Sequence, residues 1–334
     1  MLSATGKLLR NISGTAFSRQ YGYLRARWRA VTDERVLFRE AEALLEFLRR
    51  QRCTFHRCAD LYASPVPRGI AYRYDVHVRD IPGCHAFIKF HRQQRIPATF
   101  FLFWDYSPTE RGRHADFLDL QKRMGGDLEI GLHDSPIDAF LISQKFAGDR
   151  RAFAKWTASP DVLKWLDHLV QKPEELDSLN CDALNAFVER VRRTKAQFGP
   201  VSLIAGHGGE LGQSLRKKMA RLDPAVAKVA LGLRARHWLT PDRLAAAGLL
   251  GCVDRNAHSP ARWFEASDDG GLIAKMAHVL GKRLNDQMAV QLLLHPYTWA
   301  GGKRDAELSS LLKVGAPLPP PPPRPGAKSA VAGV

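Results

Sequence analysis

Six short apolar runs, separated by segments long enough to hold helices, recur through most of this chain. They span residues 70–78, 98–103, 128–132, 201–205, 249–253 and 290–294. Partly β-branched runs of this length with long intervals between them are typical of parallel strands joined by helical crossovers. The sequence therefore predicts an α/β fold with parallel strands, in one domain with extensions.

Polar residues that bind metals or transfer protons stand where these apolar runs end. Asp75 and His77 lie inside the first run, and the later run ends carry Asp105, His133, His207, Asp254 and His295. Side chains two apart in a strand share a face, so Asp75 and His77 can share one ligand. Because the active site of an α/β barrel lies at the carboxyl ends of its strands, these groups are expected to face one site.

Four short motifs occur in an order that resembles a known family. They are Asp75 in its strand, Ile96-Pro97-Ala98-Thr99-Phe100-Phe101, Gly131-Leu132-His133 and Leu294-His295-Pro296. Over about residues 70–299 they are similar to the polysaccharide deacetylase-like enzymes (NodB homology, carbohydrate esterase family 4). The resemblance implies a distorted (β/α) barrel of the polysaccharide deacetylase type and a metal-dependent carbon–nitrogen hydrolase. Its substrate would be an N-acetylated sugar of a polysaccharide, glycolipid or precursor.

The resemblance also implies roles for individual residues. Asp75 corresponds to the family's general base, and His295 to the late histidine that protonates the leaving amine. Asp254 stands where relatives place an acid that orients that histidine. The family has a second, metal-binding aspartate after the base, and His77 takes that place here. Imidazole binds zinc and similar ions, so we expect a changed metal preference rather than lost binding.

The family's second motif usually contains two histidines four residues apart, but position 137 here is isoleucine. Asp134, Asp138 or His207 can fill the vacancy. We favour His207, because the glycines around it allow the backbone to approach a ligand closely. The predicted ligands of a divalent metal, zinc or alternatively cobalt, nickel or iron, are then His77, His133 and His207.

Two other hypotheses stay open. The missing histidine and the substituted aspartate also fit a barrel that has lost catalysis and binds a glycan or a protein partner. A peripheral membrane or scaffold role would use both ends of the chain. Residues 1–32 contain six basic residues and no acid, which predicts a flexible arm suited to anionic lipid or to organellar targeting. The proline-rich residues 317–334 predict a disordered tail.

The predicted barrel covers residues 65–316, and helices are predicted both before it and in an insertion within it. Residues 33–64 are predicted to contain a packing helix, for which Thr32 is a suitable N-cap. Its apolar stripe at helical spacing comprises Leu37, Ala41, Leu44, Leu45 and Leu48. Residues 135–199 predict a helical insertion, either a lid or a side-packed subdomain. Within it, Ser159 is expected to cap a helix whose first residue is Pro160.

Composition restricts the partners and the location. The chain of 334 residues has a formal net charge of +16. It lacks zinc-finger spacing and RNA-binding aromatic motifs, so no specific nucleic acid is expected. It also lacks an apolar run of about eighteen residues, which argues against a transmembrane segment. The apolar core of a secretory signal is missing from its first residues as well. Five cysteines without a Cys-x-x-Cys pair favour a reducing compartment. We therefore expect a cytoplasmic location, with membrane contact through the basic arm as an alternative. Carbohydrate as the partner is what the family resemblance implies.

Overall fold

The computed structural model describes residues 34–77, 81–103, 114–125, 128–254, 263–267, 280, 284 and 286–295. The predicted basic arm and its Thr32 cap, the proline-rich tail and Asp105 lie outside the described residues. Along the described helices, none is long and apolar enough to cross a membrane.

Eight strands and a series of helices follow one another along the described chain. The strands are β1 (Thr54–His56), β2 (Gly69–Val76), β3 (Ala98–Leu102), β4 (Leu128–Asp134), β5 (Leu203–Gly206), β6 (Gly251–Cys252), β7 (Trp263–Ser267) and β8 (Ala289–Leu294). The helices before β5 are α1 (Glu34–Arg50), α2 (Cys58–Ala63), α3 (Ile81–Gln94), α4 (His114–Arg123), α5 (Pro136–Lys145), α6 (Arg150–Ala158), α7 (Asp161–Gln171) and α8 (Pro173–Phe198). After β5 come α9 (Glu210–Lys218), a 3₁₀ turn (Met219–Arg221), α10 (Pro224–Gly232), α11 (Ala235–Trp238) and α12 (Pro241–Ala246).

All strand pairs in the sheet are parallel, in the order β6-β5-β4-β3-β2-β8-β7, with β1 beside the start of β2. In a flat sheet, four strand spacings would put β6 about 19 Å from β2. However, Nη2 of Arg73 in β2 lies 3.0 Å from Oδ1 of Asp254, two residues after β6. The sheet therefore curls into a half-barrel, consistent with a (β/α) barrel.

The sequence prediction of an α/β fold with parallel strands is confirmed, and each of the six apolar runs contains a strand. Two strands were not predicted. The segment 51–63 forms β1 and α2, although it was assigned to the packing-helix region, because three residues of strand are too few to show a period. Strand β7 was missed because Glu265 and Ser267 interrupt its apolar pattern.

The helices pack on the same core as the sheet. Leu44, Leu45 and Leu48 of α1 are buried in one cluster with the strands, as the helical stripe predicts; the side chain of Leu37 lies outside what is described. The insertion helices α5 to α8 add residues such as Phe153 and Phe187 to that cluster. The described insertion is thus packed against the side of the sheet.

Helix α7 begins one residue later than the sequence predicted. Pro160 precedes the helix, and the hydroxyl of Ser159 accepts a hydrogen bond from the amide of Asp161 (3.2 Å). The serine therefore still satisfies an amide at the start of the helix. Its position outside the first turn leaves room for Pro160, which has no amide hydrogen to donate.

Burial of His91 in α3 makes the stability of the protein sensitive to acid. The Tyr74 hydroxyl lies 2.8 Å from Nε2 of His91, and the carbonyl of Ile96 lies 3.3 Å from Nδ1. Burial lowers the pKa of His91 from 6.5 to about 3. Above pH 6.5 the ring is neutral in both states; below it, only the unfolded chain gains the proton. Stability is therefore lost as the pH falls from 6.5 towards 3.

We expect His91→Gln to be less stable than wild type at pH 7 but to lose less stability on acidification. The unfolding free energies should converge by up to about 1.4 kcal/mol per pH unit below pH 6. Urea denaturation at pH 7, 6, 5 and 4 measures this. Parallel curves for the two proteins would show that His91 does not contribute to the acid sensitivity.

Candidate metal centre

Three histidines from distant parts of the chain meet at the carboxyl ends of the strands. His77 directly follows β2, His133 lies near the end of β4, and His207 directly follows β5. One ring nitrogen from each lies within 4.8 Å of the others. The ring centroids are 5.3 Å apart for His77 and His133, 5.3 Å for His77 and His207, and 5.0 Å for His133 and His207. The structure thus brings together the three residues that the sequence predicted as metal ligands.

The contacts of His133 leave one nitrogen suited to a metal. Nδ1 lies 3.1 Å from the carbonyl oxygen of Ala205, the residue that pairs with His133 across β4 and β5. Since a carbonyl only accepts, Nδ1 carries the proton and Nε2 carries the lone pair. Burial lowers the pKa of His133, although the nearby Asp75 carboxylate opposes that shift. The ring is therefore neutral near pH 7, which is the form that binds metal ions.

His207 is held by its own loop. Its amide donates to the carbonyl of Asp134 (2.6 Å), and its Nδ1 accepts a hydrogen bond from the amide of Gly209 (3.1 Å). Gly209 has φ +56, and a Cβ there would collide with Asp138 and Ser135, so the turn requires glycine. Coordination of an ion through Nδ1 would replace the hydrogen bond from Gly209. Coordination through Nε2 would require the ring proton to move to Nδ1, which would also break the hydrogen bond from Gly209.

An aromatic wall lies against all three histidines. The Phe103 ring centroid is 4.5 Å from that of His207, 4.9 Å from that of His77 and 5.7 Å from that of His133. Phe103 is the last residue of the second apolar run, and the sequence pattern assigned it only to a strand. In the structure it covers one side of the centre with apolar surface.

Asp75 is held by an arginine from its own strand. Nε and Nη2 of Arg73 donate to the two carboxylate oxygens of Asp75, both at 2.8 Å. Oδ2 of Asp75 also lies 3.9 Å from Nε2 of His133. Burial disfavours the charge on Asp75, but Arg73 and then His133 outweigh it and hold the pKa of Asp75 far below its usual range. Asp75 is therefore a carboxylate at neutral pH.

The same guanidinium links two more acids inside the half-barrel. Nη2 of Arg73 donates to Asp254 (3.0 Å), and Nη1 donates to Glu265 of β7 (3.0 Å). The amide of Gly206 donates to the other oxygen of Asp254 (2.5 Å). Asp254 therefore holds Arg73 in place, a contact that the sequence did not predict. Its orientation of His295 stays a prediction.

His295 directly follows β8 and is partly exposed, at the same end of the sheet as the three histidines. His295 is among the groups that lower the pKa of Asp75, so the two side chains are within electrostatic range. The six predicted site residues therefore all lie at the carboxyl ends of strands. The role of each stays a prediction.

The alternatives for the missing histidine have other contacts. Oδ2 of Asp134 accepts from Nε of Arg190 in α8 (2.8 Å). Oδ2 of Asp138 accepts from the amide of Leu211 (3.3 Å), and burial together with Glu210 raises the pKa of Asp138 to about 7. Ile137 is buried in α5. Among the residues weighed for this place, His207 is the one that meets His77 and His133.

Sequence reasoning missed Arg73, Glu265 and Phe103 as site residues. A signal for Arg73 was present, since residues 73, 75 and 77 share one face of a strand by the same alternation that linked Asp75 to His77. No comparable signal marks Glu265, which joins the site only because β7 lies two strands from β2 in the curled sheet.

Together the fold and the geometry define a half-barrel α/β protein with a three-histidine centre beside a buried, ionised carboxylate. Comparisons of the chain with protein-family models, with curated proteins and with solved structures found no match. Three imidazole nitrogens with one preset tautomer fit a zinc-like divalent ion by the chemistry of the donor set.

Proposed function

We propose that the protein is a metal-dependent hydrolase that removes the acetyl group from an N-acetylated sugar, on a barrel of the polysaccharide deacetylase type. The observation that carries the proposal is the convergence of His77, His133 and His207, with ligand nitrogens within 4.8 Å of one another, beside the Asp75 carboxylate. The order of the four sequence motifs supports the substrate class. A cytoplasmic location belongs to the same proposal.

The chain's own residues suit the hydrolysis of an amide. A divalent ion held by the three histidines would polarise the acetyl carbonyl and lower the pKa of water towards about 7. Asp75 takes up the proton of the attacking water. Its Oδ2 lies 3.9 Å from Nε2 of His133, the nitrogen that would hold the ion. Arg73 fixes the direction of that carboxylate. His295 donates a proton to the sugar nitrogen as the carbon–nitrogen bond breaks, so acetate and an amine leave.

The metal content of the purified protein tests this proposal first. We expect about one zinc, cobalt, nickel or iron ion per chain, lost in His133→Ala because the preset Nε2 donor is removed. His168→Ala, which replaces an exposed histidine paired with Glu175, should keep the metal. Elemental analysis measures both variants. Absence of metal after incubation with each ion would overturn the proposal.

One observation favours a second candidate, a barrel that binds a glycan or protein partner without catalysis. Both oxygens of Asp75 accept hydrogen bonds from Arg73, which lowers the proton affinity expected of a general base. This candidate predicts sugar binding that chelators do not change and no release of acetate. Calorimetry with N-acetylated oligosaccharides, with and without chelator, separates the two candidates.

A further inference from the structure

Three arginines lie near one another, and one of them, Arg236, approaches Asp254, two residues after the edge strand β6. Nη2 of Arg236 is 4.0 Å from Oδ1 of Asp254, and its side chain is half exposed. Arg234 directly precedes α11, and its Cγ lies 3.9 Å from where a Cβ of Gly212 would stand. Arg216 follows Gly212 by four residues in α9, so it lies on the same helix face. The group comprises one arginine from α9 and two from the start of α11.

Of the three arginines, Arg236 has acids nearby, since Asp254 lies 4.0 Å away and the charge of Arg236 also reaches Glu265. Asp254 already accepts a hydrogen bond from Arg73. For Arg216 and Arg234, the described part of the chain contains no ion pair. Partial burial and then the charges of Arg236 and Arg216 lower the pKa of Arg234. Other arginines have an acid at hand, as Arg192 has Glu189 at 2.7 Å.

We propose that Arg216, Arg234 and Arg236 form a subsite for an oxyanion group, phosphate or carboxylate, carried by the substrate. Guanidinium groups bind such anions with paired hydrogen bonds, and an anion would offset the repulsion among the three cations. The inference rests on the proposed function and narrows its substrate to an acidic N-acetylated sugar.

The subsite lies close to the proposed reaction centre. Arg236 approaches Asp254, Asp254 accepts from Arg73, and Arg73 holds Asp75. The arginines also stand at β6, one end of the described strand order, whose other end is β7. A sugar with its acetamide at the histidines would therefore place a neighbouring charged group towards the arginines.

Calorimetry on metal-stripped protein tests the subsite without any contribution of a metal. The probes are inorganic phosphate, N-acetylglucosamine and N-acetylglucosamine 1-phosphate, together with an N-acetylated uronic acid. We expect the charged sugars to bind at least about tenfold more tightly than the neutral sugar. Arg234→Gln and Arg236→Gln should each remove most of that difference. Arg221→Gln, an exposed arginine in the 3₁₀ turn after α9, should leave it unchanged.

The preferred charged sugar identifies phosphate or carboxylate as the natural group. Equal affinity for charged and neutral sugars, or binding that neither Arg234→Gln nor Arg236→Gln weakens, would overturn the subsite. If the sugar phosphate binds no more tightly than inorganic phosphate, the assignment of the subsite to the sugar substrate is overturned.

The failure of this inference is distinguishable from failure of the proposed function. If no acetate is released but the arginine variants lose anion binding, the hydrolase proposal falls and the subsite stands. If acetate is released from charged and neutral sugars with the same KM, and Arg234→Gln changes neither value, the hydrolase stands and the subsite falls.

Discussion

Arg73→Leu is expected to lower the free energy of unfolding by at least about 3–5 kcal/mol, the cost of breaking a buried ion pair from one side. The guanidinium of Arg73 contacts Asp75, Asp254 and Glu265, and both aspartates are almost fully buried. Without it, these carboxylates must stay charged in a poorly solvated interior or take up protons at a cost. Urea denaturation at pH 7 measures the loss.

Arg73→Lys is the matched control. Lysine keeps the charge but cannot bond both oxygens of Asp75 and reach the other two acids, so we expect a smaller loss of stability. Acid should also reduce the defect of Arg73→Leu. The folded-state pKa of Asp75 is depressed in wild type, so its contribution is present above the ordinary pKa and is lost as the pH falls below it.

The gap in stability between wild type and Arg73→Leu should therefore narrow below about pH 4. A loss of under about 1 kcal/mol at pH 7 would contradict this account. It would mean that the three acids share protons, and that the network does not depend on the arginine.

Asp75→Asn is expected to lower the kcat of acetate release by about 10²–10⁴-fold, the usual contribution of a general base. Asparagine has nearly the same size, and Asp254 and Glu265 remain as partners of Arg73, so the fold should persist. Metal content should also persist, because the three histidines are unchanged. An assay of released acetate on N-acetylated sugars, alongside elemental analysis, measures both quantities.

His295→Gln serves as a comparison for the same reaction. If His295 protonates the leaving amine, its loss should slow hydrolysis of the sugar amide but hardly affect an activated acetate ester, whose leaving group needs no proton. Asp75→Asn should slow both substrates. Full acetate release by either variant on the sugar amide would show that its role is wrongly assigned. Wild-type protein that binds metal yet releases no acetate would favour the glycan-binding barrel.

A strand or helix could be predicted from the sequence where it is caused by the pattern of its own residues. A strand buried on both faces is mostly apolar, as β3 and β8 are, and the charged residues of β2 fall at alternate positions, Arg73 and Asp75, on one face. Helix α1 likewise shows its buried stripe in its spacing. The two-residue β6 and the three-residue β1 are too short for any pattern, and their conformation comes from pairing with neighbouring strands.

The candidate site divides in the same way. The sequence by itself determined which residues stand at strand ends, because a polar residue after an apolar run is visible in the chain. It favoured His207 over Asp134 and Asp138 as the third partner, because His207 follows a strand end in a glycine-rich segment, but that pattern did not exclude the aspartates.

Only the tertiary structure decided that His207 joins His77 and His133, because β5 pairs with β4 in a register that sets Ala205 opposite His133. Alternation along β2 puts Arg73 beside Asp75, but only the curl of the sheet decided that Arg73 also reaches Asp254 and Glu265. Side-chain alternation is a local property of one strand, whereas contacts across the interior depend on the pairing and curvature of all of them.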